Sequence, residues 1–197
     1  MSTHTVITEH HHDADGTDVF GFWLYILTDC ILFGSIFAVF IVMNQPNAFG
    51  PALKQYIDLP YVLIETACLL ASNFTFGLSM LSLYRRNKQY VRVWLSFTLL
   101  LGAGFVGMEI NEFIHLFHEG FTPQISGLAS AFFTLVGTHG LHVSCGLLWI
   151  LVMIVQFYYF DINNATERRM TMLGIFWNFL DIVWIFVFSV VYLSGAL

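Results

Sequence analysis

The 197 residues are 57% hydrophobic and only 10% charged, with a formal net charge of -6 and a mean hydropathy of +0.74, whereas soluble domains carry about 25% charged residues. So much apolar surface excludes a water-soluble globular core, and the dispersed acids without a basic stripe exclude a nucleic-acid footprint. Cys30, Cys68 and Cys145 stand singly in apolar runs, without the paired spacing of a disulfide framework, a zinc site or a dinuclear copper centre.

The first eighteen residues, MSTHTVITEHHHDADGTD, are polar and hold no Lys or Arg. They lack the basic n-region of a secretory signal, so the first helix is expected to stay attached behind a flexible tail over residues 1–18. His10, His11 and His12 beside Asp13 and Asp15 read as part of that solvated tail. Five apolar stretches then meet the requirement of about 20 residues for crossing a hydrocarbon core about 30 Å thick. They fall at about 19–43, 60–84, 93–117, 127–160 and 171–195. All four prolines, Pro46, Pro51, Pro60 and Pro123, and all seven Lys/Arg lie in connectors or at a span boundary, as expected when apolar helices alternate with wet loops. The expected fold is all-α, an integral membrane bundle of five transmembrane helices forming one domain over 19–197.

Basic residues near helix ends resist translocation. Arg85, Arg86, Lys88 and Arg92 follow the second span and Arg168 and Arg169 precede the fifth, while the opposite side has Lys54 alone. This asymmetry predicts a cytoplasmic N-terminus and a periplasmic C-terminus. Interfacial aromatic belts follow the same division, with Trp23, Tyr84, Trp94, Tyr158 and Tyr159 inside and Tyr56, Tyr61 and Tyr192 outside. Small residues predict close helix contacts at Ala103-x-x-x-Gly107, Gly140-x-x-x-Ser144, Gly102, Gly104, Gly137 and Gly146.

Ionisable side chains at bilayer depth are costly and face the bundle interior. The spans contain Asp29, Glu65, Glu109, Glu112, His115, His139, His142 and Asp181. A rise of about 1.5 Å per residue places Asp29, His139 and Asp181 at similar depths in the cytoplasmic half, where they could meet. Glu65, Glu109 and Glu112 form a second layer toward the outside, with His115 nearer the interface. Three readings compete. In the first, these groups fix helix register by bonding one another and nearby polar side chains. Glu109, Glu112 and His115, an E-x-x-E-x-x-H run, supply half of a di-iron carboxylate pattern whose second E-x-x-H is missing. Alternatively, a buried carboxylate such as Asp29 or Glu65 has a proton-linked or lipid-linked role. A haem held through His139 is a further, minor form of the metal reading. No complete catalytic constellation is found: nucleophile elbows and phosphate-binding loops are absent.

The runs GFWLYILTDCILFGSIF (Gly21 to Phe37), GAGFVGMEINEF (Gly102 to Phe113), AFFTLVGTHGLHVSCG (Ala131 to Gly146) and FWNFLDIVWIFVFSVVYLSG (Phe176 to Gly195) resemble subunit III of the haem-copper terminal oxidases. The resemblance spans about residues 20–197 and follows the five-helix form of the family; the His- and Asp-containing tail resembles that of its bacterial cytochrome o ubiquinol oxidases. It implies an accessory, non-catalytic subunit of a proton-pumping quinol oxidase in the bacterial inner membrane. No cofactor would be held in this chain; haem and copper would sit in catalytic subunit I, with phospholipid in a cleft. Asp29 takes the place of a buried acid that is often Glu in the family. His139 and His142 match its H-G-x-H segment, Glu109 its third-core-helix glutamate, and Asp181 and Trp184 its D-x-V-W. Lipid-cleft candidates are Asp29, Trp23, His142 and Trp184. Where relatives usually have W-H-F, this chain has Trp177, Asn178 and Phe179, an amide in place of an imidazole. The alternatives are a small membrane metalloenzyme using the Glu/His cluster, or subunit III of a cytochrome c oxidase.

Overall fold

The computed structural model describes residues 9–44 and 59–193. They form five helices long and apolar enough to cross a membrane: α1 (Glu9–Met43), α2 (Leu59–Tyr84), α3 (Lys88–His118), α4 (Gly127–Tyr159) and α5 (Asn164–Val187), with a π-helical stretch, Phe188–Leu193, continuing α5. The backbone of α1 is helical from Glu9, and its apolar part begins at Val19. Pro46, Pro51, Lys54, Tyr56 and Gly195, and the side chains of His10, His11 and His12, lie outside the described residues.

Helix α5 is the centre of the bundle. It packs against α1, α2 and α4, while α2 pairs with α3, α3 with α4, and α4 with α1. More than half of its apolar window is buried, against a third or less in the other helices. Lipid is as apolar as leucine, so close packing rather than hydrophobic transfer must hold such helices together. Large rings supply that packing: Trp177, Trp184, Phe76, Phe105 and Phe132 are all fully enclosed.

Glycines make room for the rings. A Cβ at Gly146 would stand 2.8 Å from Trp177, and one at Gly102 would meet Leu147 at 2.6 Å and Trp177 at 3.2 Å. Trp177 therefore fills a notch cut by one glycine on α3 and one on α4. The small-residue expectation fails elsewhere on α3: Ala103, Gly104 and Gly107 lie on its exposed face, and no atom stands within 4 Å of a Cβ at either glycine.

The connectors at one end are tied together. Arg86 approaches Glu167 at 3.5 Å and Lys88 bonds Asp161 at 3.0 Å, so the α2–α3 and α4–α5 connectors share one face, here the basic end. Arg92 lies 5.6 Å over the Tyr158 ring at the same end. Helix α3 ends through Gly120 at φ 82°, with Phe121 N–H donating to the Leu116 carbonyl at 2.9 Å, a left-handed cap that glycine adopts without strain. Ser126 opens α4, its hydroxyl accepting from the Ala129 N–H at 3.1 Å.

Candidate functional site

The polar groups occupy separate helix contacts rather than one centre. At the α1–α4 contact, Asp29 is 6% exposed and faces His142, with Oδ2 and Nε2 3.9 Å apart. The His142 Nδ1 lies 2.7 Å from the Thr138 carbonyl; since a carbonyl only accepts, Nδ1 carries a proton and Nε2 is the atom turned to the carboxyl. Trp23 is largely exposed on the same helix, two turns toward its start. At the α2–α5 contact, Asn73 Nδ2 donates to Asp181 Oδ2 at 3.0 Å. His139 is fully buried in an aromatic box, stacked on Trp184 with centroids 5.1 Å apart and flanked edge-on by Phe33 and Phe105.

Asp29, His139 and Asp181 therefore do not form the inner cluster expected from their depth. No hydrogen bond reaches either nitrogen of His139; Asp29 faces His142 at 3.9 Å without a hydrogen bond, and Asp181 is bonded by Asn73 instead. Depth fixed their level but not the direction in which they point. His139 and His142 differ by about 60° around α4, enough to send one to α5 and the other to α1. Asn73, an uncharged polar residue in the middle of an apolar span, was a legible signal that a search restricted to ionisable groups passes over.

Toward the opposite end, Glu65, Glu109 and Glu112 do come together, close enough for each of the other two to act electrostatically on Glu65. All three are buried. The Tyr192 hydroxyl donates to Glu112 Oε2 at 3.1 Å. Gly140 of α4 admits the Glu109 carboxyl: a Cβ there would lie 2.7 Å from its Cδ. Tyr61 bridges α2 to α3, its hydroxyl donating to the Met108 carbonyl at 3.0 Å and accepting from Asn111 at 3.3 Å.

Three expectations are corrected by this geometry. His115 does not join Glu109 and Glu112; it is exposed and 3.7 Å from Glu119, because each three-residue step turns the helix about 60° short of a full circle and two steps carry the imidazole off the inner face. Tyr192 is no interfacial anchor but is wholly buried on Glu112, turned inward on the π-helical stretch. Trp184, expected at a lipid cleft, is 1% exposed, with its indole N–H bonded to Thr66 Oγ1 at 3.0 Å.

Among the described residues, no group of three or more His, Cys, Asp and Glu side chains is arranged to hold a metal ion. Several buried polar atoms have no hydrogen-bond partner: both oxygens of Glu65 and of Glu109, both nitrogens of His139, Asp29 Oδ2 and Asp181 Oδ1. Such atoms ordinarily find partners in water or a neighbouring molecule.

The family model described as "Cytochrome c oxidase subunit III" matches residues 1–196. The chain is similar to the "Cytochrome bo(3) ubiquinol oxidase subunit 3" of Pseudomonas aeruginosa, at 56% identity over 96% of this chain and 90% of that one. It is similar to the protein of the same name from Pseudomonas putida, at 51% identity over 94% and 90%. A "Cytochrome c oxidase subunit 3" of Bacillus subtilis is 42% identical over 89% and 85%.

Proposed function

The chain belongs to the cytochrome c oxidase subunit III family, and from that membership we propose that it is the accessory, non-catalytic subunit III of a proton-pumping ubiquinol oxidase. The quinol assignment rests on one observation: relatives named as cytochrome bo(3) ubiquinol oxidase subunits match nearly the whole chain at 45–56% identity, above the 42% and 37% of two relatives named for cytochrome c. In this reading the complex oxidises quinol and reduces dioxygen to water on the haem and copper of catalytic subunit I. The present chain stabilises that subunit and holds phospholipid in a bacterial cytoplasmic membrane.

The division of labour fits the chemistry of the bundle. Asp29 and His142, Asn73 and Asp181, and Glu112 and Tyr192 each span two elements, the arrangement suited to fixing helix register. Glu65, Glu109 and His139 fill the layers between them. The exposed Trp23 beside the α1–α4 contact is suited to lipid. Residues 19–197 act as one membrane domain with residues 1–18 as a polar appendage. The six basic residues near the joined connectors favour an N-terminus in the cytoplasm and a C-terminus in the periplasm.

Purification from native membrane in mild detergent tests this reading. Companion subunits bearing haem and copper are expected, in a complex that oxidises ubiquinol in preference to reduced cytochrome c. Stoichiometric iron in the isolated chain, or a Soret band lost on replacing His139 or His115, would instead establish the small membrane metalloenzyme.

A further inference from the structure

Arg92 is a cation without an acid. At the same end of the bundle Arg86 stands against Glu167 and Lys88 against Asp161, whereas Arg92 has only the Tyr158 ring, 5.6 Å from its guanidinium carbon. Of the guanidinium nitrogens only Nε is enclosed without a partner, so the two terminal amino groups, bonded to nothing among the described residues, are the ones open to an incoming anion. The side chain borders a groove of about 400 Å³ between α3 and α4, whose wall also holds Gln89, Phe97, Leu100, Ile154 and Tyr158. Among the described residues no Asp or Glu lines it. The Ser96 hydroxyl in the same wall is committed to the Arg92 carbonyl, donating at 2.9 Å, which leaves the groove below Arg92 effectively apolar.

Depth matches the two ends of this groove to the two parts of a lipid. Helix α3 has 31 residues, about 46 Å of rise against a hydrocarbon core of about 30 Å, so roughly 8 Å of helix overhangs at each end when the excess is shared equally. Arg92, four residues from the first, lies roughly 6 Å along the axis, at the level of headgroup phosphates. From there to Leu100 the groove runs roughly 12 Å inward, past Phe97 and Leu100, which are 50% and 69% exposed. A single cation at the mouth of a dry trough suits an amphiphile with an anionic head. A zwitterionic headgroup would bring an amine as well, and no acid in the wall receives it. Basic pockets between membrane helices take anionic headgroups in this way, and a guanidinium meets phosphate through two parallel N–H bonds.

We propose that the α3–α4 groove holds one anionic phospholipid, with its phosphate on the terminal amino groups of Arg92 and an acyl chain along Phe97, Leu100 and Ile154. The site rests on the reading of the chain as a lipid-holding subunit and adds to it the class of lipid and a location apart from Trp23, which has no place in this wall.

Photolabelling of the assembled complex tests it. The probe is a phosphatidylglycerol carrying a diazirine on one acyl chain, supplied to the complex in mild detergent, and adducts are located by peptide mass spectrometry. Adducts are expected on residues 97–100 of α3 and around Ile154 of α4, displaced by excess unlabelled phosphatidylglycerol and not by phosphatidylcholine. Arg92→Gln is expected to lower that labelling about tenfold, as loss of one charged-group hydrogen bond implies. Arg92→Lys, which keeps the charge without the fork, loses less, and Arg85→Gln, outside the groove, loses nothing. Labelling displaced equally by phosphatidylcholine, or equal in the unsubstituted complex and Arg92→Gln, marks ordinary bilayer lipid and overturns the proposal. Absence of adducts from both segments overturns it too, and is the result expected where a companion subunit covers the groove. If Arg92→Gln fails to accumulate, competition between the two lipids in the unsubstituted complex decides. Adducts confined to α1 remove this site alone and leave lipid holding in place; no adducts anywhere on the chain overturn the lipid-holding reading as well.

Discussion

Gly140 and Tyr192 show how little latitude single positions have where α3, α4 and α5 meet. With a Cβ placed only 2.7 Å from the Glu109 carboxyl carbon, Gly140→Val must push a buried acid aside, at a cost of about 1–3 kcal/mol for overpacking. Gly107→Val, on the open face of the same layer, is expected to change stability far less. Thermal unfolding of the purified complex compares the two, and equal losses would mean that Gly140 is not a contact. Tyr192→Phe removes the one donor seen on Glu112 and keeps the ring, so the expected loss is about 1–2 kcal/mol. A shift no larger than that of an exposed control such as Tyr159→Phe would contradict the bond.

Among the elements, α1 is the one whose apolar window is least buried, and Asp29 is the only Asp, Glu, His, Lys or Arg in its span from Val19 to Met43. Asp29→Leu removes the polar link to His142 and is expected to loosen α1, measured as lower subunit retention or loss of co-purified phospholipid, with the haem spectrum of the complex unchanged. Stoichiometric haem loss from an otherwise assembled complex would overturn that expectation. The spans themselves were readable from hydropathy, because a run of about 20 apolar residues has few other uses. Depth was readable too, since rise per residue is fixed, and it brought Glu65, Glu109 and Glu112 together correctly. Which neighbour each inward face meets was not readable: Asp181 finds Asn73 rather than His139. That choice depends on which helix packs against which, information carried by the shapes of Trp177, Phe76 and their glycine partners acting together rather than by any local pattern.

For the whole molecule, the decisive feature is that the helix at the centre of the bundle is the fifth in the chain. Ribosomes deliver a membrane protein from its N-terminus, so α1 to α4 enter the bilayer before the most deeply buried helix of the bundle exists. Until α5 arrives, the carboxyls of Glu65 and Glu109 and the imidazole of His139 have no Trp184 or Tyr192 beside them. A chain stopped after Asn163 is expected to be inserted and then degraded rapidly, as pulse-chase labelling would reveal. A long-lived four-helix product would mean that α5 is a passenger. The position of α5 thus makes the arrival of that helix the event that closes the bundle, and gives membrane quality control a simple criterion for telling closed bundles from open ones.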